Sequence, residues 1–157
     1  MEPNTMVTLA KMGAAAALGI SAMGSALGCG TAGMSAITMW KKAYAQGKSA
    51  LFTLLVFVGA PISQTIYGML LMMYILGRIG PEGSDPTATL WPAYLGVGIF
   101  GGLGIAISAW FVGKSAANGC NALGETGKGL VNYLMVLGVG ETVALFVMVF
   151  SMMLISM

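Results

Sequence analysis

Apolar residues run along this chain in four long blocks and do not alternate with polar ones. The blocks cover about residues 5–40, 49–76, 90–122 and 128–157. Each exceeds the roughly 20 residues a helix needs to cross a bilayer. In lipid only helices and closed barrels satisfy their own backbone, and continuous apolar runs without alternation specify helices. The links are short and carry the breakers and most of the charge: KKAYAQGK (41–48), GRIGPEGSDPTAT (77–89, with Pro81 and Pro86) and ALGETGK (122–128). Short links join antiparallel neighbours. The pattern therefore predicts an all-α membrane protein with four transmembrane helices in two tandem hairpins, residues 1–80 and 81–157.

Composition agrees with the pattern. The 157 residues are 57% hydrophobic and 8% charged, against about 25% charged in soluble domains. Such a chain cannot cover a water-facing surface. A net charge of +2 offers little to a nucleic acid, and none is expected as a partner. There is no histidine, P-loop or Ser–His pairing, so the chain is not expected to be an enzyme on its own. Cys29 and Cys120 lie in small-residue stretches without metal spacing and read as packing residues. Lys11 before an Ala/Gly/Met run is like a signal peptide. That segment, however, runs past Trp40 without a small-residue cleavage site, so it reads as mature sequence. Lys41, Lys42, Lys48 and Lys128 gather at the two hairpin links, whereas Arg78, Glu82, Asp85 and Glu2 lie at the other end. The positive-inside rule then places both hairpin links in the cytoplasm, with Lys11 as the exception. Lys114 is expected to snorkel toward that cytoplasmic interface.

The two halves look like one unit used twice. SALGCGTAG (25–33) lies over SAWFVGKSA (108–116), which puts Gly30 on Gly113. QGKSA lies over TGKGL, which puts Gly47 and Lys48 on Gly127 and Lys128. GAPISQTIYGMLL lies over VGETVALFVM if about three residues are extra in the first copy, which puts Gln64 on Glu141. Each hairpin crosses the membrane twice, so the repeats are parallel. Small residues recur every fourth position in the first helix (Gly24, Gly28, Ala32) and the third (Gly98, Gly102, Ala106, then Ala109, Gly113, Ala117). Such rows let backbones approach closely. They either stabilise this four-helix unit alone or let helices 1 and 3 line the crowded inside of a ring. Their restriction to every second helix favours the ring.

One carboxylate interrupts the last block. GVGETVALFVMVFSMMLISM (138–157) is uncharged except for Glu141. A carboxylate at mid-bilayer depth costs about 2.5–3.5 kcal/mol on insertion scales, so it is a functional candidate in need of partners. Gln64 is one, with Ser63 beside it and Tyr67 one turn on along the same face. Pro61 cannot donate to the carbonyl of Phe57, and the disturbed turn exposes carbonyls near Ala60. Carboxylate, amide oxygen, hydroxyl and carbonyl are hard ligands that suit a proton or an alkali cation, not zinc or copper. The expected ion site is Glu141, Gln64, Ser63, Tyr67 and Ala60. Glu141, Gln64 and Ser63 act as metal ligands only if the ion is Na+. The plainer readings are an interhelical hydrogen bond for Gln64, packing for Tyr67, and a polar cluster capped by Glu141.

These residues carry a resemblance. SAMGSALGCGTAG in helix 1, P-x-S-Q-x-x-Y-G in helix 2, the small-residue helix 3 ending in GKSAANG, and G-E-T in helix 4 resemble the proteolipid of V-type and A-type rotary ATPases, the K or c component of their membrane rotor. The resemblance covers essentially the whole chain. It implies a homo-oligomeric ring with helices 1 and 3 inside, turning in a bacterial plasma membrane among lipids. It further implies a stator component (a or I) whose arginine displaces the ion from Glu141, and a central-stalk subunit at the cytoplasmic loops. It implies no cofactor, only a transported cation, H+ or Na+. Sodium-binding relatives add a helix-3 Gln just before Gly-Lys; here that position is Val112, which cannot ligate, so H+ is favoured and Na+ stays open. Gln64 in place of a first carboxylate leaves one ion per four helices, which favours pumping over synthesis. Two rivals remain. A small proton-coupled secondary transporter with a membrane-embedded carboxylate would account for Glu141 and four helices, but needs neither parallel repeats nor glycine rows. A structural or pore-forming membrane protein would not need Glu141.

Overall fold

The computed structural model describes all residues, 1–157, and contains helices and no strands. Four helices are long and apolar enough to cross a membrane: α1 Pro3–Ala45, α2 Leu54–Ile79, α3 Trp91–Thr126 and α4 Leu130–Ser156. At 1.5 Å per residue, α1 is about 64 Å long and α2 about 39 Å. α1 starts with a proline in its first turn, where the missing N–H costs nothing. It runs to Ala45, through the Lys41–Ala45 stretch that the charge pattern assigned to a link. No breaker precedes Gly47, the first residue of that region with positive φ (66°). α3 ends in the same way at Gly127, whose left-handed backbone (φ 67°) directs its N–H to the carbonyl of Leu123 at 2.8 Å.

Pro61 tightens α2 without ending it. Ala60–Ile62 form one 3₁₀ turn, and the N–H of Ala60 reaches the carbonyl of Phe57, the group that proline cannot serve. α3 carries one π-helical segment, Val97–Gly101, where it passes α1.

The small-residue rows bring α1 and α3 into backbone contact. A Cβ on Gly24 would collide with the backbone of Ala106, and one on Gly113 with the backbone of Gly28. The contacts Gly13–Gly98, Gly28–Gly113 and Met39–Gly124 are separated by the same stretch of sequence, so the two helices run parallel. α2 and α4 flank this pair. Apolar side chains fill two clusters, one around Leu71, Ile75, Tyr94, Ile105 and Ile155, the other around Leu54, Phe57, Val112, Cys120 and Leu137.

Helix pairs inside the two hairpins meet alike: Gly68 packs on Ser21 as Val147 packs on Gly104, and Pro61 packs on Gly28 as Gly140 packs on Phe111.

Asp85 organises the link between the hairpins. It accepts from Thr89 N (2.9 Å), Thr89 Oγ1 (2.8 Å), Leu90 N (3.0 Å) and Tyr94 Oη (3.2 Å). The carboxylate thus serves backbone donors just ahead of α3. Burial by itself would push this carboxyl up, but the Leu90, Thr89 and Tyr94 donors outweigh it and hold Asp85 below the usual carboxylate range.

Candidate functional site

The site forms where α2 faces α4, half-way along both helices. Glu141 is half-buried, and Tyr67 Oη donates to its Oε1 at 2.7 Å. Residues 74 positions apart are thus joined across two helices. At this length the contact is a well-formed O–H···O hydrogen bond. Tyr67 does more than pack.

The other α2 candidates cluster one turn closer to the start of that helix. Ser63 Oγ lies 3.2 Å from the Ala60 carbonyl and 3.2 Å from Gln64 Oε1. The 3₁₀ turn at Pro61 is what brings the Ala60 carbonyl within reach of this hydroxyl. Gln64 is fully buried, and its Nε2 has no partner. Ser25 Oγ, also buried, is likewise without a partner. Because Pro61 lies on Gly28 and Gly68 on Ser21, Ser25 sits on the turn of α1 that faces Gln64. No hydrogen bond joins Glu141 directly to Gln64 or Ser63: the five predicted residues form two groups, Glu141 with Tyr67, and Ser63 with Gln64 and Ala60.

α3 closes the third side. Val112 is buried and meets Gly140, where a Cβ would lie 3.0 Å from Val112 Cγ2. Ser108 Oγ donates to the Gly140 carbonyl at 2.7 Å and fastens α4 beside Glu141. Thr142 Oγ1 donates to Gly138 O at 2.6 Å, so it turns away from the site along its own helix. Ser108 escaped the sequence reading because it looks like one more small residue in a row of them. Its only sequence signal is a hydroxyl beside Ala109 in the small-residue row of α3.

Lys114 departs from expectation. Its Nζ lies 4.6 Å from the centroid of the Trp110 ring, one turn back toward the start of α3, and so points away from the hairpin link it was expected to approach. Helical side chains lean toward the N-terminus of their helix, and the indole face offers the cation an electrostatic partner there. At the link itself Lys42 pairs with Glu125 at 3.1 Å, both exposed.

Chemically, the arrangement offers a half-buried carboxylate held on one oxygen by a hydroxyl, beside a small group of oxygen atoms, in a helix that is otherwise apolar. These are hard oxygen groups, of the kind that suit a proton or an alkali cation. Residues 95–154, most of α3 and all but the end of α4, match the family model for the C subunit of ATP synthase. No curated protein matches the chain. The second hairpin is thus similar to the proteolipid of rotary ATPases, a non-catalytic, ion-translocating membrane component, and the four spans mark an integral membrane protein.

Proposed function

We propose that this chain is the rotor-ring proteolipid of a V-type (V/A-type) rotary ATPase, carrying an ion across the membrane on Glu141 as the ring turns. The observation that carries the reading is the Tyr67–Glu141 bond at mid-span, on the hairpin that matches the ATP synthase proteolipid family. The V-type assignment is supported by the parallel repeat of two hairpins in one chain, with a carboxylate in only the second. In the first hairpin the position aligned with Glu141 is Gln64, an uncharged side chain, so each chain keeps one carboxylate at mid-span. A neutral, loaded Glu141 can face lipid, whereas an emptied, charged one needs a cation such as the stator arginine. The cytoplasmic links then bear on a central stalk. One ion per two hairpins favours ATP-driven pumping.

We favour H+ as the ion. Buried Val112 offers no ligand from α3, and Ser63, Gln64 and Ala60 satisfy part of one another's hydrogen bonding. Na+ would need those oxygens to turn toward Glu141. Carbodiimide, which attacks a protonated carboxyl, distinguishes the two. Labelling of Glu141 in the intact membrane complex that falls as pH rises and ignores sodium supports H+. Suppression by sodium at fixed pH would reverse the assignment. Labelling that spared Glu141 but reached Glu82 or Glu125 would sink the carrier reading. Glu141→Gln should abolish translocation while leaving the protein assembled.

A further inference from the structure

The two ends of the Gln64 amide make opposite demands: the oxygen accepts hydrogen bonds and the nitrogen donates them. The side chain is fully buried, so an end left without a partner is costly. Two hydroxyls flank it. Ser63 Oγ lies 3.2 Å from one end of the amide and 3.2 Å from the Ala60 carbonyl. Ser25 Oγ, also buried, lies on the α1 side. Gln64 stands three residues after Pro61 and four before Gly68, while Ser25 stands three before Gly28 and four after Ser21. With Pro61 against Gly28 and Gly68 against Ser21, the two side chains are level in this antiparallel pair. Ser21 does not compete for Gln64, because its hydroxyl donates to the Ala17 carbonyl at 2.7 Å.

An amide turned end for end occupies the same space, and the hydrogen-bond network decides between the two orientations. With the oxygen toward Ser63, the single proton of that hydroxyl faces two acceptors, Gln64 Oε1 and Ala60 O. Gln64 Nε2 and Ser25 Oγ are then both without a partner. With the amide turned over, one chain gives each of these atoms a partner. Gln64 Nε2 donates to Ser63 Oγ, Ser63 Oγ donates to the Ala60 carbonyl, and Ser25 Oγ, turning about its own χ1, donates to Gln64 Oε1.

We infer that Ser25 is a positioning residue, whose hydroxyl holds the Gln64 amide oxygen toward α1 and leaves the N–H end toward Ser63 and the ion site. The amide then offers the site a donor and no oxygen, and the lone proton of Ser63 is committed to Ala60. A proton on Glu141 needs neither group as a ligand. Na+ would need the amide to turn and give up Ser25. A hydroxyl among the small residues of α1 thus biases the ion choice of a carboxylate on α4. This bearing on the ion rests on the carrier reading of the preceding subsection, whereas the orientation of the amide does not.

Solid-state NMR of the full-length protein in membranes reads the orientation. The chain has only two glutamines, Gln46 and Gln64. Isotope labelling of the glutamine side-chain nitrogen and the serine Cβ therefore gives few signals, and Gln46→Asn assigns them. Gln64 Nε2 should show a short dipolar contact to a serine Cβ that persists in Ser25→Ala and vanishes in Ser63→Ala. Loss in Ser25→Ala with retention in Ser63→Ala would overturn the inference. The Gln64 Cδ resonance should shift in Ser25→Ala, and an unmoved resonance would show that Ser25 does not hold the oxygen. In the same variant sodium should slow carbodiimide labelling of Glu141 severalfold more than in the unaltered protein, because the freed amide can present its oxygen. A response to sodium equal in the two proteins would overturn the role of Ser25 in ion choice. Failure of Glu141 to label in either protein would instead overturn the carrier reading, with the NMR result still deciding the orientation.

Discussion

Replacing Tyr67 with Phe isolates one bond at the site. The phenol ring keeps its packing, and only the hydroxyl 2.7 Å from Glu141 Oε1 is lost. A hydrogen bond to a charged acceptor contributes about 1.5–3 kcal/mol and one to a neutral acceptor about 0.5–1.5. Removing the hydroxyl therefore frees Glu141 Oε1 from a restraint of about 1 kcal/mol, roughly a fivefold factor. Tyr67→Phe should raise the rate of carbodiimide labelling of Glu141 by about fivefold, because the oxygen that reacts is no longer engaged. The assay is mass spectrometry of the intact membrane complex over a time course at fixed pH. Tyr74→Phe is the control, since the Tyr74 hydroxyl pairs with Ser156 near the end of α4, 2.9 Å away. An unchanged or slower rate in Tyr67→Phe would refute the reasoning, because the hydroxyl would then not restrain the Glu141 oxygen.

Three further outcomes are expected. Val112→Gln brings an amide oxygen to the α3 side of the site and should make sodium protect Glu141 from carbodiimide, at an overpacking cost of about 1–3 kcal/mol against Gly140; a labelling rate still blind to sodium would show that α3 does not complete the site. Asp85 is held below its unfolded value near 3.9, so its contribution to stability is present above that pH and lost as pH falls through the folded value. Thermal melting in detergent should therefore show an acid-side decline that Asp85→Asn flattens, and the same decline in the variant would refute the assignment. Gly113→Leu, which drives a side chain into the Gly28 backbone, should prevent α1 and α3 from packing and lower the folded yield, while Gly138→Leu, in open space, should be tolerated; equal yields by size-exclusion chromatography would contradict the close approach of the two helices.

Much of this architecture is legible in the chain itself. Apolar blocks longer than the bilayer permit only helices, and short charged links permit only hairpins, so four crossings and their pairing follow from composition and spacing. The fourfold glycine spacing announces the close α1–α3 approach, because no other residue leaves the backbone bare. Glu141 stands out because a lone charge in an apolar run is costly wherever it sits. Other features are invisible at that level. Lys41–Ala45 are helical because nothing in them breaks a helix, although their charge suggests a link. Asp85, one acidic residue of a polar link in sequence, becomes the acceptor for four donors once the link folds back on α3.

The sequence by itself determined the membrane class, the hairpins, the small-residue rows of α1 and α3 and the carboxylate, since each depends on local composition or on a period along one helix. The tertiary structure alone decided which groups meet: Tyr67 with Glu141, Ser63 with Ala60 and Gln64, and Ser108 with the Gly140 carbonyl. These depend on the rotation and slide of one helix against another. A slide of two residues along α2 turns a position by more than half a turn, and nothing along a single helix specifies it.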